Sequence, residues 1–373
     1  MKKLLFLTII SLTLTGLAKA DTDSPLDPAY TDLVHPIEHS PFRSFEDETE
    51  LPTKSDTLDL ISKLSPVRAQ GSRGTCSIFS AIALLEAMLV IEEYEDISID
   101  LSEEYLEYVI TRFRDTDGSN SYNNFMALHQ WGTVLEESWE YDPKKWTAKS
   151  PNAQLFCKGL DESETKSCLL GHRAPDLLTI EEDLLLDEDS KYFDPAFLDI
   201  RTEALFFAEN TMKDIFQYPG YSRIQVRTIG KIKELLNNGI PMTMGINFFY
   251  GAWNHRIAKK LGIKRDLELW NKGIVGYPAA NSIDVKLSED KPAGHSILIV
   301  GYDDEKTIEI EKEMTDGTKK TFTHKGVYYF KNSWGIKGFG KEFTLEGETL
   351  PGYGMITYDY AHEYGGFYQL PLL

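Results

Sequence analysis

The chain has 373 residues, 59 acidic against 39 basic side chains, a formal charge of −20 and three cysteines. That length supports one large or two medium domains with a real core, and 42% hydrophobic with 12% aromatic residues excludes a disordered acidic chain. The charge argues against nucleic acid and anionic lipid partners, and an odd number of cysteines leaves at least one without a partner in the chain.

Lys2 and Lys3 precede an apolar run from Leu4 to Leu17, followed by Ala18-Lys19-Ala20. This is the anatomy of a secretory signal cut after Ala20. The run is too short and too often broken by Thr and Ser for the ~20 residues a membrane span needs. The expectation is an exported protein, periplasmic or secreted, with no membrane span and monomeric. Residues 21–55 show no sustained apolar period and read as an extended arm or short prosegment.

The first strong helix is predicted over Cys76–Glu92, where CSIFSAIALLEAMLVIE is apolar on nearly every face and must be buried all round. A second starts at Ser102 and runs to Ile110, and a third covers 124–131, ended by Gly132. From 143 to 225 the chain is acidic, with 11 acidic and three basic residues between Asp161 and Pro195. A helix is predicted over Lys231–Asn238, then a buried strand over 241–246. Further strands are expected at Ser296–Val300, Thr307–Glu311, Thr321–Thr323 and Gly326–Lys331, with Asp316-Gly317 as a hairpin turn between two of them. The expected order is a helical half (56–142), an acidic insert (143–225) and a β-rich half (226–373).

Cys76 stands at the start of the buried helix, after the Gly-rich turn 70–75. A helix N-terminus stabilises a thiolate, and the nearby backbone N–H groups with the Gln70 amide can form an oxyanion hole. A buried structural cysteine is the other reading of that position. His295 opens an apolar strand after small residues, where an imidazole can face a cleft. The turn Asn332-Ser333-Trp334-Gly335 offers an amide oxygen to orient that imidazole and an indole to shield the bond.

These segments resemble those of papain-like cysteine peptidases, most closely exported bacterial members. QGSRGTCSIFSA (70–81), AGHSILIVGYD (293–303) and KNSWGIKGFG (331–340) look like the family's cysteine, histidine and asparagine segments. The resemblance implies an α+β fold with a helical and a β-rich domain flanking the active-site cleft. It implies Cys76 as nucleophile, His295 as general base and acid, Asn332 as its orienter, Gln70 with the Cys76 N–H as oxyanion hole, and Trp334 as shield. It further implies hydrolysis of a polypeptide substrate, with endopeptidase action expected and no cofactor. A catalytically silent interaction protein and an acyltransferase (transpeptidase or deamidase) are the alternatives.

The sequence departs from the family pattern in several places. Arg73 stands where many members have a cysteine, Ser77 replaces the Trp after the nucleophile, and Phe339 replaces a second Trp. Gly118 and Ser119, or else Ser121-Tyr122, are candidates for the wall that binds substrate backbone, and Gly294 is a further candidate contact. Cys76 and His295 are 219 positions apart, more than the ~130–150 expected in lysosomal members. The excess fits the acidic insert, which would either fringe the cleft or decorate a remote surface. Within it, Cys157 and Cys168 are expected to close a local disulfide along an acidic loop, as an oxidising compartment allows. No metal site is expected: His172 is read as a surface residue, and Asp187-Glu188-Asp189-Ser190 as a solvated face rather than a calcium loop.

Overall fold

The computed structural model describes residues 51–112, 114 and 116–373, so residues 1–20 and most of the arm lie outside the described residues. Helix α1 (Thr57–Ile61) is followed by the long α2 (Cys76–Ile91), α3 (Glu103–Thr111) and α4 (Ser121–Trp131). Several of these begin or end where local chemistry requires. The Ser102 hydroxyl caps α3 by accepting from Tyr105 N–H, Asn120 caps α4, and Gly132 (φ 68°) ends it in a conformation open to glycine. From Cys76 to Leu89 every residue of α2 except Ala83 is buried, as its nearly uninterrupted apolar composition demands. Each buried Ile or Leu of that helix contributes about 1.5–3 kcal/mol by leaving water.

The acidic segment is built from helices rather than an open loop. These are α5 (Pro151–Phe156), α6 (Glu162–Gly171), α7 (Glu182–Leu186) and α8 (Pro195–Phe207). The signals were local ones: Asp161 and Glu164 form a reciprocal capping box, and Asp194 caps a helix whose first residue is Pro195. Cys157 and Cys168 are disulfide-bonded, with Cα atoms 5.8 Å apart, and join the end of α5 to the interior of α6. His172 is buried, contrary to the surface position expected for it. Its Nδ1 lies 2.9 Å from Glu104 and its ring stacks on Trp146 at 4.2 Å. A ring with one face on an indole and one nitrogen on a carboxylate gains more inside than in water. Asp187, Glu188 and Asp189 are exposed.

The strands of the β-rich half are β1 (Gln225–Val226), β2 (Met242–Asn247), β3 (Ile274–Val275), β4 (Gly294–Glu313), β5 (Lys319–Lys331), β6 (Thr344–Leu345), β7 (Glu348–Thr349), β8 (Tyr353–Thr357) and β9 (Gly365–Tyr368). Seven of them form one sheet in the order β1-β9-β2-β4-β5-β8-β3, and β6 pairs with β7 in a separate small ribbon. The four strands expected over 296–331 are in fact two. β4 continues through Asp303–Thr307 by register shifts, and β5 runs unbroken from the Asp316-Gly317 turn, where Gly317 has φ 81°. Polar residues at 303–307 masked this continuity, because an exposed ribbon needs no apolar alternation to keep its ladder. The helix before β2 lies at Ile229–Asn237, close to its expected place. Residues 52–55 run beside the sheet, with Ser55 N–H donating to Tyr302 O at 3.2 Å.

Helix α2 packs against β2 and β4, and one hydrophobic cluster runs through both halves. Ser80, in this apolar helix, meets Ser296 at 2.6 Å between hydroxyl oxygens. That bond joins the two halves one helical turn beyond Cys76 and one residue beyond His295. Among the described residues no helix is long and apolar enough to cross a membrane.

Candidate active site

Three segments build the site. The first is the turn 70–75 leading into α2, which places Cys76 at the first helical position, where backbone N–H groups have no intrahelical acceptor. The Thr75 hydroxyl makes no cap bond and lies 2.6 Å from the Tyr141 hydroxyl instead. The second is the start of β4, carrying His295. The third is the turn after β5, carrying Asn332 and Trp334. Pairing of Leu298 with Lys331 brings the start of β4 beside the end of β5, and so His295 beside Asn332 and Trp334.

His295 Nε2 and Asn332 Oδ1 are 2.9 Å apart. The same oxygen accepts from Ser333 N–H at 2.8 Å, so Asn332 presents its oxygen and the imidazole must carry its proton on Nε2. Nδ1 is then the nitrogen left to accept a thiol proton. Trp334 stacks on the imidazole at 4.6 Å, covering its bond to Asn332.

Gln70 joins this group through backbone pairing across the two halves. Ala69 bridges Trp334, Gln70 N–H donates to Ser333 O at 2.9 Å, and Gly335 N–H donates to Arg68 O at 3.0 Å. The Gln70 side chain is held at both ends: Ser333 Oγ donates to its Oε1 at 2.7 Å, and its Nε2 donates to Arg73 O at 2.8 Å.

The proposed backbone-binding residues are also located. Gly118 N–H donates to Glu107 at 3.0 Å and Ser119 N–H to Ser77 Oγ at 2.7 Å, so both N–H groups are engaged within the protein. Ser77 thereby tethers the 118–119 segment to the start of α2. Ser121 and Tyr122 open helix α4, and Gly294 pairs with Asn247 at the edge of the β2–β4 ladder.

Sequence reasoning missed the bed beneath the imidazole. Trp253 meets His295 edge-on at 5.1 Å and Phe248 does so at 6.0 Å, while Trp270 stacks on Trp334 at 5.7 Å. Phe339 packs edge-on against both Trp270 (5.2 Å) and Trp334 (5.9 Å). Indoles from 253 and 270 thus surround the site where Phe339 replaces a second Trp. The run Phe248-Phe249-Tyr250-Gly251-Ala252-Trp253, one residue after the strand predicted over 241–246, was the available signal.

Gln70, Cys76, His295, Asn332 and Trp334 are all buried. Burial pushes the His295 imidazole down to about 3, against the smaller opposing effect of the Asn332 bond. His362, bonded to the Tyr328 hydroxyl at 2.8 Å, is likewise pushed down to about 3 by burial. Behind the site, burial raises the carboxyls of Glu103 and Glu136, the latter to about 8, with neighbouring carboxylates adding to both shifts.

The signs give a pH prediction. Between 3 and 6.5 the unfolded chain binds protons that folded His295 and His362 refuse, so their contribution is lost as pH falls. The raised carboxyls act oppositely: their contribution is present below 4.5 and lost as pH rises, for Glu136 towards about 8. Maximum stability is therefore expected at mildly acidic pH, between the two trends. Urea midpoints measured across pH 3 to 9 check this, and a midpoint rising steadily to pH 8 contradicts it.

A helical half whose long helix opens on Cys76, joined to a β-rich half that pairs His295 with Asn332, is an α+β fold of papain-like type. No family model matches the chain. It is similar to two cysteine proteinases of Entamoeba histolytica. It is 35% identical to cysteine proteinase 1 over 75 residues, which is 20% of this chain and 22% of that protein. It is 28% identical to cysteine proteinase 2 over 160 residues, which is 40% of this chain and 49% of that protein. The chain thus spans less than half the length of the curated relatives it matches. Among solved structures, xylellain, a cysteine protease from Xylella fastidiosa, aligns over 97% of this chain and all of that one, at 15% identity and a TM-score of 0.49. The cysteine protease and lectin-like domains of Cwp84 from Clostridium difficile align over 86% and 52%, at 18% identity and a TM-score of 0.44.

Proposed function

We propose that this protein is an exported papain-like cysteine peptidase that hydrolyses peptide bonds through a thioester acyl-enzyme. The observation that carries the reading is the 2.9 Å bond from His295 Nε2 to Asn332 Oδ1 beneath Trp334, in a protein whose one cysteine outside the disulfide opens α2, the helix packed against the strand that carries His295. The Cys76 thiol gives its proton to His295 Nδ1, and the resulting opposite charges offset the desolvation that otherwise keeps the imidazole neutral. The thiolate forms a bond to the scissile carbonyl carbon, and the carbonyl electron pair moves to oxygen. That oxyanion is met by Gln70 Nε2–H and Cys76 N–H. As the carbonyl re-forms, the C–N bond breaks and imidazolium gives its proton to the leaving amine. Water then attacks the thioester with His295 as base, releasing the carboxylic acid and returning the thiol proton.

The test is incubation with an epoxide-type thiol inhibitor, followed by mass mapping, alongside hydrolysis of a mixed peptide library. Labelling at Cys76 that blocks library cleavage is the expected result. A folded protein that neither labels nor cleaves sinks the reading, and transfer to added amines in place of hydrolysis converts it to an acyltransferase. Export through residues 1–20 belongs to the same proposal, and N-terminal sequencing of the mature protein reads it.

A further inference from the structure

We infer that Arg73 is the positioning residue of the oxyanion hole, and that the segment 142–172 is the anchor through which it acts. The inference rests on the peptidase reading. An amide nitrogen carries two hydrogens, and in Gln70 one of them is engaged by Arg73 O at 2.8 Å. The position of that carbonyl therefore sets the direction of the second hydrogen, the one aimed at developing charge. The turn that carries it contains Gly71 (φ 64°) and Gly74, which by themselves leave the backbone free to move.

The arginine side chain is fully buried and pinned from several directions. Its Nη1 donates to both Glu104 oxygens on α3 (2.7 and 3.0 Å) and to Asp142 O at 3.2 Å. Its Nη2 donates to Leu170 O at 2.7 Å, at the end of α6. Asp117 lies 3.6 Å from Nε, and is itself held by Lys145 at 2.7 Å. His172 closes the group on Glu104 at 2.9 Å. A second contact places the turn against the same segment: Ser72 N–H and Oγ both donate to Pro143 O, at 2.8 and 2.9 Å. A Cβ on Gly71 would lie 2.4 Å from Pro143 Cβ, so turn and anchor are in direct contact.

A buried charge group is a poor source of net stability, but moving one member away leaves the others buried and uncompensated, which holds Arg73 to the arrangement seen here. A guanidinium fork can reach Glu104, Asp142 O and Leu170 O together; an ammonium is a single point. The start of the acidic segment is thus a support of the turn that carries Gln70.

The experiment is a double-mutant cycle on the full chain with Arg73→Lys and Gln70→Ala, reading kcat and KM separately on a peptide amide substrate. Arg73→Lys is expected to lower kcat about 10- to 100-fold with KM nearly unchanged, as for a small misplacement of a catalytic group. Combined with Gln70→Ala, it should cost nothing beyond Gln70→Ala alone. Independent, multiplicative losses overturn the inference. If Arg73→Lys does not fold, Glu104→Gln replaces it in the cycle with the same expectation. Hydrogen exchange of the amides at 70–75 is followed in the same variants: faster exchange is expected, and unchanged exchange overturns the inference even without an activity assay. An unmodified protein that neither cleaves nor labels at Cys76 counts against the peptidase reading alone, because the exchange measurement still decides the role of Arg73.

Discussion

Cys76→Ala is expected to abolish peptide hydrolysis, by a factor on the order of 10⁶ in kcat, as removal of a covalent nucleophile does in other acyl-transfer sites. The reason lies in how little else in the site can attack a carbonyl. The hydroxyls nearest in sequence, Thr75 and Ser77, are engaged: Thr75 Oγ1 lies 2.6 Å from the Tyr141 hydroxyl, and Ser77 Oγ accepts from Ser119 N–H. His295→Ala is expected to cost nearly as much, and the double variant no more than either single one, because thiol and imidazole act as one unit. The buried Cys76 side chain is small, so its loss should leave the melting temperature within a few degrees of the parent. Single-turnover assays and thermal melts of the purified variants check these statements. Residual cleavage by Cys76→Ala within tenfold of the parent would show that the nucleophile lies elsewhere.

The second large effect concerns stability. Arg73→Met removes the fully buried cation from the group formed with Glu104, Glu107 and Asp117. Burial by itself would lower the affinity of Arg73 for its proton, but these carboxylates outweigh it and push the value up. The reverse holds for Glu104 and Asp117, where burial alone would raise the carboxyl but Arg73 holds it below its usual range. Leaving these buried carboxylates without their partner is expected to cost about 3–5 kcal/mol, a fall in melting temperature on the order of 10 °C. The sign of the pH dependence follows. Carboxylates with lowered values contribute stability at neutral pH that is lost as they are protonated, so the variant should lose less than the parent on going to pH 4. Thermal melts of both proteins at pH 7 and pH 4 test this. Equal melting temperatures at pH 7 would mean that the carboxylates have found another partner.

The cysteine, histidine and asparagine segments were legible because each carries its own structural cue. An all-apolar helix begins at Cys76, an apolar strand begins at His295, and an Asn-Ser-Trp-Gly turn follows a strand of Val, Tyr and Phe. Helix and strand periods are local, so their existence needs no knowledge of the fold. The pairing of Cys157 with Cys168 was legible for a similar reason, since two cysteines eleven positions apart in one segment are within easy reach of each other. The helices of the acidic segment were less visible because α5 and α7 are only 6 and 5 residues long, and the local signals were the caps at Asp161 and Asp194 with Pro195.

What sequence alone determined about this protein is therefore the candidate reacting groups and the elements that carry them. Tertiary structure decided what surrounds them. It set the bed of Trp253 and Phe248 under His295, the stacking of Trp270 on Trp334, the grip of Ser333 on Gln70, and the buried place of His172 beside Glu104. Gln70 and Ser333 are 263 positions apart, and the other partners are also distant in the chain, so no local period or spacing encodes a contact between them. A buried arginine and a surface arginine are the same letter in the chain. Only the approach of Glu104, Asp117, Asp142 and Leu170 turns Arg73 from a departure into a support.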